Sequence, residues 1–122
     1  MKIRELLKGV NPEECGHGKY LDKKGKPFCP VAKGLARHHI KIPSGIDNCG
    51  AFKELSLCEF LNIDRAVLVC FTEAWDMLRL GGLAPKEAFR KALAEAVTEE
   101  QGRARVRKEL AKVEKVKKIK PE

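Results

Sequence analysis

The sequence has no apolar run near the roughly 18 residues that a membrane span requires. Its opening, Met1-Lys2-Ile3-Arg4-Glu5, lacks the apolar core of a signal peptide. Both absences point to a cytoplasmic protein. Amides are scarce, with one Gln and three Asn among 122 residues against 34% charged side chains. That balance leans towards the proteins of thermophiles. No Cys-x-x-Cys pair occurs, which excludes the paired-knuckle pattern of zinc ribbons. The lysine- and arginine-rich C-terminal stretch carries no interleaved aromatic residues, so stacking of single-stranded bases is not indicated.

What is present is concentrated between Cys15 and Cys58. That interval holds four of the five cysteines, all three histidines and six of the ten glycines. In a reducing cytosol, clustered cysteines act more often as metal ligands or catalytic thiols than as disulfides. An odd number cannot all pair internally, although disulfides of intracellular hyperthermophile proteins stand as an alternative. Cys15, Cys29, Cys49 and Cys58 are separated by thirteen, nineteen and eight residues. Thiolates are soft ligands suited to zinc and to iron–sulfur clusters, and long unequal intervals fit a larger cluster gripped from several sides. Cys49 and Cys58 lie nine residues apart, on opposite sides of one continuous helix, so His17 competes with Cys58 as fourth ligand. In an extended segment His17 points to the same side as Cys15. His38 and His39 are expected to cap a short helix or face solvent, and Cys70 to serve packing. Cys49 at a helix start resembles an activated thiol, but no accompanying motif makes it a nucleophile, and no catalytic residue is assigned.

The runs Cys15-Gly-His-Gly, Gly25-Lys-Pro-Phe-Cys29 and Asp47-Asn-Cys49-Gly-Ala-Phe52 resemble the high-potential-iron-protein-like modules in accessory subunits of glycyl radical enzymes such as hydroxyphenylacetate decarboxylase and benzylsuccinate synthase. The resemblance covers residues 15–52 and implies a 4Fe-4S cluster with Cys ligands, sometimes with one His. The helices from residue 65 onward are not part of it.

Local signals organise the rest. Ile3, Leu6, Leu7 and Val10 predict a helix over 2–8 stopped by Gly9. Residues 19–29 read as a small hairpin with Gly25 at the turn, and Pro30 opens a short helix through Ala36. Asp47 suits the N-cap of a helix over 48–61. Asn62-Ile63-Asp64 reads as a break before a helix over 65–80 that is apolar on nearly every face and ends at Gly81-Gly82. From Pro85, a stripe of Ala88, Phe89, Ala92, Leu93, Ala96 and Val97 marks the next helix. Thr98-Glu99-Glu100-Gln101 either opens a new helix or is traversed by the old one. Beyond it, Val106, Leu110, Val113 and Val116 form a narrow stripe that depends on a partner or on the protein body.

The fold class expected is mainly α: a small cysteine-rich loop and hairpin module (1–62), a helical core (63–102) and a basic helical tail (103–122), with a three- to four-helix bundle. Residues 1–42 carry ten Lys/Arg against four Asp/Glu, residues 43–102 six against ten, and residues 103–122 nine against three, for +6, −4 and +6. Basic ends flanking an acidic middle suggest an acidic protein partner or larger enzyme complex, or DNA or RNA. The tail residues expected to meet it are Arg103, Arg105, Arg107, Lys108, Lys112, Lys115, Lys117, Lys118 and Lys120.

Two functions follow. The first is a metal-centre module, preferably 4Fe-4S, acting as an accessory or electron-transfer protein. The second is a zinc-stabilised nucleic-acid-binding protein using the tail and the helix-turn-helix-like run Leu57 to Val67. In that run Val67, Leu68, Val69, Cys70 and Phe71 leave mainly Arg65 and Thr72 for base edges, which favours burial over recognition.

Overall fold

A buried aromatic centre organises the chain, and two antiparallel helices supply it. Helix α3 (Arg65–Leu80) begins after Asn62, which takes a φ of +54°, and ends where Gly82 turns with φ +90°. Helix α4 (Pro85–Ile119) follows after a short connection. Phe71 and Trp75 of α3 are 0% and 1% exposed. Both meet Phe89 of α4 edge to face, at centroid distances of 5.7 and 6.3 Å. Such contacts add about 0.5–1.5 kcal/mol each beyond the area they bury. Ala88, Ala92 and Ala96, four residues apart on α4, are fully buried and give the two helices a close seam.

This computed structural model describes residues 1–19, 21–40 and 62–119, with side chains through Val113. Against the α3–α4 pair lie α1 (Ile3–Leu7), a 3-10 turn (Pro12–Glu14) and α2 (Pro30–Arg37). Ile3, Leu6 and Leu7 of α1 and Val31, Ala32 and Leu35 of α2 join Val67, Phe71 and Trp75 in one buried cluster. The main chain of Ile3 donates to Glu100 at 3.0 Å, which fixes α1 to α4. The mainly helical class is as expected, and no β-strand occurs among the described residues.

Several local expectations hold. The first helix, Ile3–Leu7, is capped by Lys8 and followed by Gly9, where φ is +82°. A single antiparallel bridge joins Leu21 to Pro27, and Gly25 takes φ +78° in the turn between them. The carboxylate of Asp22 accepts from the backbone N–H of Lys24 and Lys26, at 2.8 and 2.9 Å. Those bonds hold its carboxyl below the ordinary range, with the Lys26 bond the largest cause. Pro30 occupies the first turn of α2, where a missing N–H costs nothing. The helix closes with Ile40 donating to the Leu35 carbonyl and His39 to Ala36, a Schellman arrangement with His39 left-handed at φ +58°.

One expectation is revised, and one open alternative is decided. Helix α3 is not buried all round, since Met77 and Leu80 are 73% and 80% exposed. Its buried side is one stripe of Val67, Leu68, Phe71, Thr72 and Trp75. Of the two readings of Thr98–Gln101, the continuous one holds: α4 passes straight through, and the Thr98 hydroxyl donates back to the Ala94 carbonyl at 3.0 Å. The helix expected over 48–61, with its Asp47 cap, lies outside the described residues.

Candidate metal centre

Two of the four cysteines singled out from the sequence, Cys15 and Cys29, are buried in the same core cluster. Asn11 starts the arrangement, accepting through its side chain from Glu13 at 3.1 Å and so fixing the 3-10 turn that delivers Cys15 in extended conformation. The backbone N–H of Gly16 then donates to the Phe28 carbonyl at 2.8 Å. That bond ties the residue after Cys15 to the residue before Cys29 and so brings the two cysteines into one neighbourhood. Gly16 is needed here, because a Cβ at that position would collide with the ring of Phe28.

Helix α3 holds this juxtaposition from behind. The indole N–H of Trp75 donates to the Gly16 carbonyl at 2.9 Å, and Asp76 accepts from Gly18 at 3.0 Å. Neither tie was visible as a motif. The signal for the first was the lone tryptophan, whose N–H needs a partner once its ring is buried.

Both thiols are buried, with Cys15 7% and Cys29 1% exposed, and neither forms a disulfide. Cys15 Sγ donates to the Asn11 carbonyl at 3.3 Å. Burial pushes its thiol up to about 11, Lys33 pulls the other way, and neighbouring Cys29 and Glu14 add to the rise. Cys29 is the N-cap of α2, and its sulfur accepts from the backbone N–H of Ala32 at 3.4 Å.

His17 is half-buried in a bend, next to Gly18 with its φ of +84°. Among the described residues, no three His, Cys, Asp or Glu side chains gather closely enough to hold a metal ion. Cys49 and Cys58 lie outside the described residues. His38 caps α2, with its ring Nε2 3.0 Å from the Glu5 carbonyl, and both His38 and His39 are exposed, as expected. Cys70 is half-buried on α3. Burial raises its thiol, and Glu95, Glu99 and Glu73 add to the rise.

Of the basic residues, Arg103 pairs with Glu99 at 2.8 Å, Arg107 with Asp64, and Lys112 approaches Glu109 at 3.8 Å. Arg105 and Lys108 are exposed. Lys115, Lys117 and Lys118 lie on the helical backbone of α4, and Lys120 lies outside the described residues. In the helix-turn-helix-like run, Val67, Leu68 and Phe71 are buried and Val69 and Cys70 half-buried. Thr72 is also buried, bonding the Val69 carbonyl, which leaves Arg65 as the exposed polar side chain of that pair. No described helix is long and apolar enough to cross a membrane. Comparison with protein-family models, with curated proteins and with solved structures finds no match to this chain.

Proposed function

We propose that the protein is a small metal-centre module, with a 4Fe-4S cluster as the preferred group, that serves a larger acidic partner as an accessory or electron-transfer component. The observation that carries this reading is the buried, unbridged Cys15–Cys29 pair. Two soft donors are buried in one core cluster, and one sulfur already accepts a backbone N–H. Hydrogen bonds to sulfur and burial are the levers by which a protein tunes such a centre.

The donor set fits the group in chemistry. Cys15 and Cys29 supply two thiols, and the sequence offers Cys49 and then Cys58 for the rest, with His17 as the alternative fourth ligand. A bound cluster supplies one-electron transfer. The chain's own residues orient the donors: Trp75 and Asp76 pin the segment after Cys15 to α3, and the Asp22 turn and α2 flank Cys29. No catalytic residue is assigned.

Anaerobic purification with an absorption spectrum and metal analysis tests this. Iron with broad absorbance near about 400 nm supports it, and colourless protein carrying zinc overturns it in favour of a zinc-stabilised protein. For that second reading, nucleic-acid binding rests on the exposed cations of α4, and salt-dependent retention on a DNA or RNA column is its check.

A further inference from the structure

The hairpin that leads to Cys29 ends in a charged tip whose lysines neither functional reading uses. Its turn reads Asp22-Lys23-Lys24-Gly25-Lys26, three lysines against one aspartate, and Lys19 on the approach adds a fourth lysine. All four lysines are exposed. The backbone beneath them is held at several points. Leu21 bridges to Pro27, the Asp22 N–H donates to the Lys26 carbonyl at 2.9 Å, and the Gly25 N–H donates to the Asp22 carbonyl at 3.0 Å. Two carboxylates that touch this segment are engaged with its main chain: Asp22 accepts from the N–H groups of Lys24 and Lys26, and Asp76 accepts from that of Gly18. Elsewhere cations are paired, Lys86 with Glu13, Arg90 with Glu87, Arg103 with Glu99 and Arg107 with Asp64. Among the described residues no ion pair involves Lys19, Lys23, Lys24 or Lys26.

We propose that this tip binds the phosphodiester backbone of a nucleic-acid duplex without reading its sequence. The choice of partner follows from what accompanies the charge. Residues 22–26 contain no apolar, aromatic or arginine side chain. Protein–protein interfaces are enriched in aromatic residues and arginine and depleted in lysine, so an acidic protein face has little to bury against the tip. A duplex needs nothing to bury. It carries one charge per about 1.7 Å of its axis, and each lysine that meets a phosphate releases condensed counterions. With no aromatic ring in the tip, unpaired bases have nothing to stack on. The site is separate in sequence from the cations of α4, and it does not depend on the metal centre.

The test is fluorescence anisotropy of the full-length protein with two labelled DNA duplexes of unrelated sequence, read from about 50 to 200 mM salt. Circular dichroism checks that each variant keeps its helices. Both duplexes bind alike, and Lys23→Gln with Lys24→Gln and Lys26→Gln makes the slope of log K against log salt shallower by about 2 to 3, as expected for two or three lost phosphate contacts. The same triple substitution gives the same drop in an Arg105→Gln, Lys108→Gln background, which marks the tip as a site of its own. Absence of duplex binding at about 50 mM salt, or an unchanged slope in the hairpin variant, overturns the proposal. A slope that falls only with Arg105→Gln and Lys108→Gln assigns binding to α4, which favours the nucleic-acid reading of function and still overturns this one. A polyglutamate peptide that binds more tightly than duplex at the same salt, and is lost in the hairpin variant, assigns the tip to an acidic protein and overturns it too. Metal content measured on the same preparations is unchanged by the triple substitution, so failure of this site and failure of the metal centre are scored separately.

Discussion

The two halves of α4 are made of the same helix and behave differently. In the first half, Ala88, Ala92 and Ala96 are fully buried under α3; in the second, Val106, Leu110 and Val113 stand half exposed among arginines and lysines. Hydrophobic periodicity therefore announces a stripe without saying what covers it. Small residues in the covered half allow backbones to approach, while larger ones in the uncovered half leave apolar surface available to something else. Intrinsic helix propensity carries the outer half, helped by the Arg103–Glu99 pair and by the Arg107–Asp64 pair to the turn before α3.

Stability measurements break or sharpen that contrast. The largest expected effect is at the covered face: Trp75→Ala removes a fully buried ring and its bond to Gly16, and should cost about 3–5 kcal/mol in denaturant unfolding. Ala92→Leu overpacks the seam and should cost about 1–3 kcal/mol. Leu110→Gln, on the uncovered face, should change stability by no more than about 0.5 kcal/mol in the isolated protein. A loss at Leu110 as large as that at Ala92 would erase the distinction between the halves.

The smallest effect expected is a titration in the hairpin that leads to Cys29. The folded-state carboxyl of Asp22 lies below its ordinary value of 3.8. The contribution of its ionised form is therefore complete above that ordinary value and is lost as pH falls through the lowered one. Chemical shifts of Leu21 and Pro27 should follow this acid transition, and Asp22→Asn should remove it. A transition unchanged in Asp22→Asn would assign it to another group.

Much of the fold was legible because its signals are local. Gly25 in its turn, Pro30 at the start of α2, Gly81-Gly82 after α3 and the alanine stripe of α4 each act within a few residues. What escaped is non-local. Trp75 reaches Gly16 across 59 positions, and no spacing rule encodes that contact. The expected all-round burial of α3 failed at Met77 and Leu80, because an apolar side chain is buried only where another element lies over it, and none of the described elements covers that end. At the candidate centre, residue type alone singled out Cys15 and Cys29, while the Gly16–Phe28 bond that brings their segments together is non-local and had no signal in the spacing.

The central claim is that Cys15 and Cys29 together hold a metal centre. Its most direct test is the metal-to-protein ratio of anaerobically purified Cys15→Ser and Cys29→Ser variants, measured beside Cys70→Ser. The account predicts loss of most metal from the first two and full metal in the third. Full metal in both Cys15→Ser and Cys29→Ser would contradict it.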